Sequence, residues 1–452
     1  MYYNIFMTKI KEPAVANMFY SGEVEVLNRQ LSGFAQHNGN NYEYKTRAVI
    51  VPHAGLVYSG QVAYEGISQL DKDIKNIFIF APAHRVGFDG LALSTFDEWK
   101  TPLGNIPVNQ EISRELEDKF GAKFFDEAHS EEHSIEIEIP VIQSIFENVC
   151  IIPVLVGRES HNKIAEIISH YYINKENGFV ISSDLSHFLT DDQAKKIDNT
   201  TAQMIETGNI NGFRYEQACG ALGICGLVEF ANKNGYSLIR TDMLNSSVAS
   251  GDKTRVVGYG TWFLYEGSKN KFIKEYYSAY LLKLCRDVIS SRFDNRRIYT
   301  NHDHIFNEFG ACFVTLKKHG NLRGCIGSII AHQPLIVDVV QNAQNAAFRD
   351  PRFNPLSQNE LADLTIDISI LSEPKQITFK DEEDLLNQIV PYKDGIIIKD
   401  RGLQAVYLPS VWEDLPDKEL FLKSLKRKAG MPENHFSKTF EAYRFYSDMI
   451  EE

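Results

Sequence analysis

Three histidines in the first half of the chain each follow a short apolar run. His53 comes after AVIVP, His84 after FIFAP and His187 after FVISSDLS. Neutral imidazole is a good ligand for iron, copper or zinc, and its proton leaves near neutrality, so the same side chain suits metal binding and acid–base work. One such histidine is ordinarily a loop or hydrogen-bonding residue. Three at matching places form a pattern, because ligand sites of open α/β sheets lie outside the carboxyl ends of the strands. Cys219, in QACGALGICG just ahead of LVEFANKNG, adds a sulfur donor, since a helix N-terminus favours the thiolate. It reads alternatively as a small buried hydrophobe, as does Cys225 among Ile224, Gly226 and Leu227.

Two acidic motifs accompany these residues. In EEHSIEIEIP (131–140), a strand or a helix start, His133 and Glu136 either face the site and orient the ligands or lie on a solvated acidic edge. In SSDLSHF, Asp184 precedes His187 by three residues. A carboxylate at that spacing can accept a proton from one imidazole nitrogen and leave the other facing the site. That arrangement suits His187 to general acid–base work or to binding a polar substrate group. The alternative is a fourth ligand that closes the site.

The elements that must position these groups are legible as runs. RAVIVP (47–52), NIFIFAP (76–82), NVCIIPVLV (148–156) and GFVISS (178–183) are too continuously apolar for half-exposed strands. Helix-like VAYEGISQL (62–70) and NQEISRELEDKF (109–120) lie between them, and RVVGYGTWFLY (255–265) closes this half. Alternation of strand and helix predicts an α/β domain with a largely parallel sheet over 1–265. The polar segment EGSKNK (266–271) marks a boundary. Beyond it, an amphipathic helix from near Phe272, strands at 311–318, 364–371, 395–400 and 403–409, and helices around 334–347 and 417–428 predict an α+β domain over 272–452.

At 452 residues, two or more domains are expected. A formal charge of −13 argues against a general polyanion-binding role, so composition lends no support to nucleic acid as a partner. The six cysteines form no CxxC pair, which points away from a disulfide scaffold and towards a reducing cytoplasm. Neither a signal peptide nor a membrane span is expected.

The sharpest motif of the second half is HGNLRGCIGSI (319–329), followed by NAAFRDPRFNPL (345–356). Arg323, Arg349 and Arg352 could make an anion-binding rim, because guanidinium holds carboxylate or phosphate bidentately. Cys325 is either a reactive thiol or part of a packed strand, and only His319 lies near it as a base.

AVANMFYSG, VPHAGLVYSG, APAHRVGFDGLAL, TPLGNIPV, EEHSIEIEIP, SSDLSHF, CGALGI and VVGYGTWFL occur in this order and resemble the Memo family over most of 10–265. The resemblance implies a fold similar to the class III extradiol dioxygenases, which use non-haem iron. It implies a metal set at His53, His84 and Cys219 with His187 close by. A dioxygenase normally offers two histidines and a carboxylate, and a cysteine here departs from that pattern. Iron(II) is the first expectation for the metal, with copper or zinc as alternatives. LRGCIG with AFRDPRFNPL resembles the AMMECR-type domain over about 272–450. The two halves together are similar to two members of the AmmeMemoRadiSam system, which implies a radical-SAM protein as partner. The chain has no CxxxCxxC with which to hold that cluster itself. The expectation is a cytoplasmic metal-binding protein of dioxygenase-like architecture in redox or modification chemistry, acting on a small-molecule or peptide substrate. The other reading is a non-catalytic peptide- or protein-binding module with a vestigial metal site.

Overall fold

Burial on both faces shapes the first half. Every residue of the strand Ala48–Val51 is buried, as are six of the seven in each of Asn76–Pro82 and Cys150–Val156 and all of Asn177–Ser182. The structure, a computed structural model, describes residues 8–37, 43–300 and 303–452. It divides into two compact units, Met1–Lys269 and Asn270–Glu452.

In the first unit those four strands form the parallel centre of a nine-stranded sheet, in the order Ala48–Val51, Asn177–Ser182, Asn76–Pro82, Cys150–Val156. Val256–Tyr265 pairs antiparallel with Ala48–Val51, and Ser237–Asn245 with Val256–Tyr265. Leu91–Leu93 runs antiparallel beside Cys150–Val156 and carries Lys123–Phe124 at its far side. Phe78, Phe80, Ile152, Val154, Phe179 and Ile181 meet Ile164, Ile168, Ile224 and Leu227, from helices His161–Tyr171 and Ala221–Asn234, in one apolar core. Burying Val, Ile, Leu or Phe contributes roughly 1.5–3 kcal/mol per side chain, so this contact is a substantial source of stability for the unit.

This register places the predicted site residues. His53, His84 and Asp184 each stand two residues beyond the carboxyl end of a parallel strand. Trp262 pairs with Ile50 in antiparallel sense, so Val257 lies past the same edge, and His187 pairs with Val257. EEHSIEIEIP is neither a plain strand nor a helix throughout. It is a turn that leads into the helix Glu138–Ile145.

The second unit opens on the helix Lys269–Asp294. Asn321–Gly327, Phe309–Lys318, Leu364–Leu371 and Ser447–Glu451 form an antiparallel sheet in that order, and the short strand Gln333–Pro334 also pairs with Phe309–Lys318. The helix Leu335–Phe348 packs on Phe309–Lys318. A second antiparallel sheet has the order Lys375–Ile377, Glu441–Phe445, Gly395–Asp400, Leu403–Tyr407. Among the described residues, no helix is long and apolar enough to cross a membrane.

Candidate metal centre

His53, His84 and His133 each offer one ring nitrogen, and these three atoms lie within 4.8 Å of one another. Their ring centroids are 5.3 Å (His53–His84), 5.5 Å (His53–His133) and 4.8 Å (His84–His133) apart. Two of the three come from strand ends. The third comes from the turn between the helices Asp126–Ser130 and Glu138–Ile145. Side-chain bonds latch that turn to the sheet, with Ser134 Oγ donating to the Pro82 carbonyl at 2.8 Å and Ser182 Oγ to the Ser134 carbonyl at 2.7 Å.

His53 is fully buried. Its Nδ1 lies 2.8 Å from Ser182 Oγ, whose only hydrogen goes to the Ser134 carbonyl. Ser182 Oγ therefore accepts the His53 Nδ1–H, which leaves Nε2 as a bare lone pair. Glu138 Oε1 lies 2.9 Å from the same hydroxyl, and burial holds the Glu138 carboxyl well above its usual range. Burial, and then the neighbouring His84 and His133 rings, push the His53 imidazole well below its ordinary value. A neutral imidazole is the state a metal requires.

Glu132 anchors the other two histidines. One of its oxygens accepts from His84 Nδ1 at 3.0 Å, and the other accepts the His84 backbone N–H at 2.5 Å. It also accepts the backbone N–H groups of His133 and Ser134. His133 Nδ1 is 3.1 Å from the first oxygen without making an aligned hydrogen bond. Burial opposes ionisation of Glu132, but the imidazoles of His133 and His84 outweigh it and hold the carboxyl well below the usual range. Phe19 packs its ring on His133 at 4.7 Å.

Several expected roles change in the folded chain. His133, expected as an orienting or acid–base group, belongs to the converging trio. Glu136 turns away and binds the N-terminal segment, accepting from Lys11 Nζ, Tyr20 Oη and the N–H groups of Ala14 and Val15. Asp184 does not hold His187. Its carboxylate accepts the backbone N–H of His53 at 2.8 Å, and burial pushes it up to about 7. Burial lowers the His187 imidazole. Sequence reasoning passed over Glu132, although its place directly before His133 was the available signal.

Cys219 lies outside the trio, but its Sγ is 3.2 Å from His53 Nε2. It directly precedes Gly220, the N-cap of the helix Ala221–Asn234. Burial outweighs that helix end and pushes the thiol up, where a thiolate had been expected. A side chain on Gly220 would stand 2.7 Å from the Ser182 carbonyl oxygen, so only glycine lets this loop approach the strand end.

In the second unit the expected anion rim is largely occupied. Arg323 bonds to both Glu360 oxygens at 2.9 and 3.1 Å, and Arg352 to Asp350 at 2.7 Å. Cys325 is half-buried on the edge strand Asn321–Gly327, with Thr315 Oγ1 donating to its Sγ at 3.2 Å. His319, the expected base, bonds to neither; its Nε2 lies 3.7 Å from Asp363.

Comparison with known proteins fits both halves. Residues 11–263 match a family model described as Memo-like protein, and residues 282–450 match one described as AMMECR1. The MEMO1 family protein TV1383 of Thermoplasma volcanium is 32% identical over 266 aligned residues, covering 56% of this chain and 97% of that protein. A MEMO1 family protein of Methanosarcina mazei is 32% identical over 271 residues, with 56% of this chain and 97% of that one covered. Among solved structures, the uncharacterized protein PH0010 of Pyrococcus horikoshii is 28% identical, with 38% of this chain and 88% of that one covered and a TM-score of 0.36.

Proposed function

We propose, from the premise that this chain belongs to the Memo-like protein family and carries an AMMECR1 domain behind its Memo-like one, that its first unit binds a transition metal through His53, His84 and His133. The convergence of three imidazole nitrogens within 4.8 Å carries this proposal. Tetrahedral ligands at bond lengths near 2.1 Å stand roughly 3.4 Å apart, so modest rotamer adjustment suffices to close the set. The donor chemistry fits as well. Ser182 fixes the His53 tautomer, and Glu132 brings an anion against His84 and His133 to offset the cation.

Three nitrogen ligands leave a coordination position for water or substrate, which is the pattern of catalytic rather than structural sites. A bound ion would supply Lewis-acid polarisation there or, if redox-active, electron exchange. His187, half-buried on the same sheet edge, would exchange a proton with a bound group, a role its lowered imidazole supports. The reading extends to a dioxygenase-like, metal-dependent activity in redox or modification chemistry, with a radical-SAM protein as partner in a cytoplasmic setting. Iron(II) leads as the metal, and the nearby Cys219 sulfur favours copper(I) as the alternative, ahead of zinc. The exposed Tyr58, Phe188 and Tyr215 favour a second reading, a peptide-binding module that uses the site without turnover.

Elemental analysis of protein purified without affinity-column nickel tests the proposal. One equivalent of metal per chain, lost in His53→Ala, is the expected result. A chain that neither carries metal nor takes up added Co(II) removes the metal reading and leaves the binding module.

A further inference from the structure

A cavity of about 640 Å³ lies in the second unit, where the helices Lys269–Asp294 and Leu335–Phe348 end. This size falls within the range of small-molecule sites. Its apolar part includes Phe293, Phe348 and Leu356, with the two phenyl rings 5.9 Å apart at 63° and both only half-buried. Arg292 and Arg349 also line it.

Charge separates these two arginines from those around them. Arg296 pairs with Asp287 and Asp294, Arg286 with Glu452, Arg323 with Glu360 and Arg352 with Asp350. Among the described residues, the guanidinium groups of Arg292 and Arg349 have no ion-pair or hydrogen-bond partner. Arg292 stands in the last turn of its helix and Arg349 at the C-cap of the other. Each helix end carries roughly half a negative charge, so the two helix dipoles offset about one of the two positive charges. About one positive charge is left over beside an aromatic surface. Guanidinium forks match carboxylate and phosphate, and phenyl faces take planar rings.

We propose that this cavity binds a small planar ring compound carrying an anionic group, phosphate or carboxylate. Gln344, also in the lining, supplies an amide for a further polar contact. Of the arginines expected at an anion rim, Arg349 is the one without a side-chain partner among the described residues, because Glu360 and Asp350 engage Arg323 and Arg352.

Calorimetric titration of the full chain, with a chelator present to silence any metal centre, tests this. Adenosine 5′-monophosphate serves as the phosphate arm and 2-naphthoate as the carboxylate arm. Adenosine and inorganic phosphate are the half-ligands. At least one ring anion should bind at one site per chain with a Kd below about 1 mM, and both half-ligands at least about tenfold more weakly. The double variant Arg292→Gln/Arg349→Gln should weaken the ring anion by at least about tenfold. Arg349→Lys keeps the helix-end charge but removes the fork, and it should still lose affinity if the fork recognises the ligand. Failure of both ring anions to saturate, phosphate alone binding as tightly as the nucleotide, or unchanged affinity in the double variant would each overturn the proposal.

Discussion

The carboxylate of Glu132 holds His84 at two points, its ring Nδ1 at 3.0 Å and its backbone N–H at 2.5 Å. Glu132 is kept anionic by the imidazoles around it, so it can only accept. His84 Nδ1 therefore carries the hydrogen of this bond. The backbone bond fixes the loop and the ring bond fixes the rotamer, so one side chain sets both position and tautomer.

Glu132→Gln tests that coupling. The amide retains the size and one acceptor but loses the charge, and it can rotate an N–H₂ towards His84 Nδ1. Metal affinity, measured by Co(II) titration with circular dichroism as a check on folding, should fall about 10–100-fold. Unchanged affinity would show that Glu132 supports the loop alone.

The third ligand is open to direct comparison. His133 belongs to the trio by distance, while Cys219 lies outside it with its Sγ 3.2 Å from His53 Nε2. His133→Ala should strip the metal under conditions where Cys219→Ser retains about one equivalent and only shifts the Co(II) absorption. The reverse order would make Cys219 the ligand and His133 its neighbour.

The strand runs that deliver His53 and His84 were visible in the sequence because parallel strands buried on both faces are continuously apolar. His133 and Glu132 were harder to place. Their turn has no strand to announce it, and its position depends on Ser134 and Ser182, which are distant in sequence and meet only in the fold. Asp184 misled for a related reason. Its spacing from His187 is local, whereas its bond runs 131 residues back to His53. In the second half, LRGCIG and AFRDPRF displayed their arginines, but Arg323 meets its carboxylate, Glu360, only in three dimensions.

A pH effect follows from His129. Burial pushes its imidazole down to about 4, opposed by the bond from Nε2–H to the Ala92 carbonyl at 3.1 Å. Its Nδ1 has no hydrogen-bond partner among the described residues. The unfolded chain takes up this proton near pH 6.5 and the folded chain near 4, so stability is lost as pH falls through that window. The full contribution is on the order of 3 kcal/mol. Asp198, pushed up to about 6 by burial, acts in the opposite sense between its unfolded value and about 6. The difference between wild type and His129→Gln therefore isolates the effect. Urea unfolding of the first unit should show a shallower acid slope in the variant, and NMR should find the wild-type ring neutral at pH 5. A ring that titrates near 6.5 would remove the contribution.

His187 is expected to serve the site without holding the metal. Its strand, His187–Leu189, pairs with Val256–Tyr265 and brings it to the edge where His53 and His84 stand. Burial lowers the imidazole, and His84 nearby lowers it further, so the ring is neutral at pH 7 and able to accept a proton. It is not part of the converging trio. His187→Ala should therefore leave metal content within about 20% of wild type, a tolerance far smaller than the 10–100-fold losses that mark ligand or supporting-partner changes. His53→Ala, measured in parallel, should empty the site. Equal metal loss in the two variants would make His187 a fourth ligand, and a site closed by four protein ligands is structural rather than catalytic.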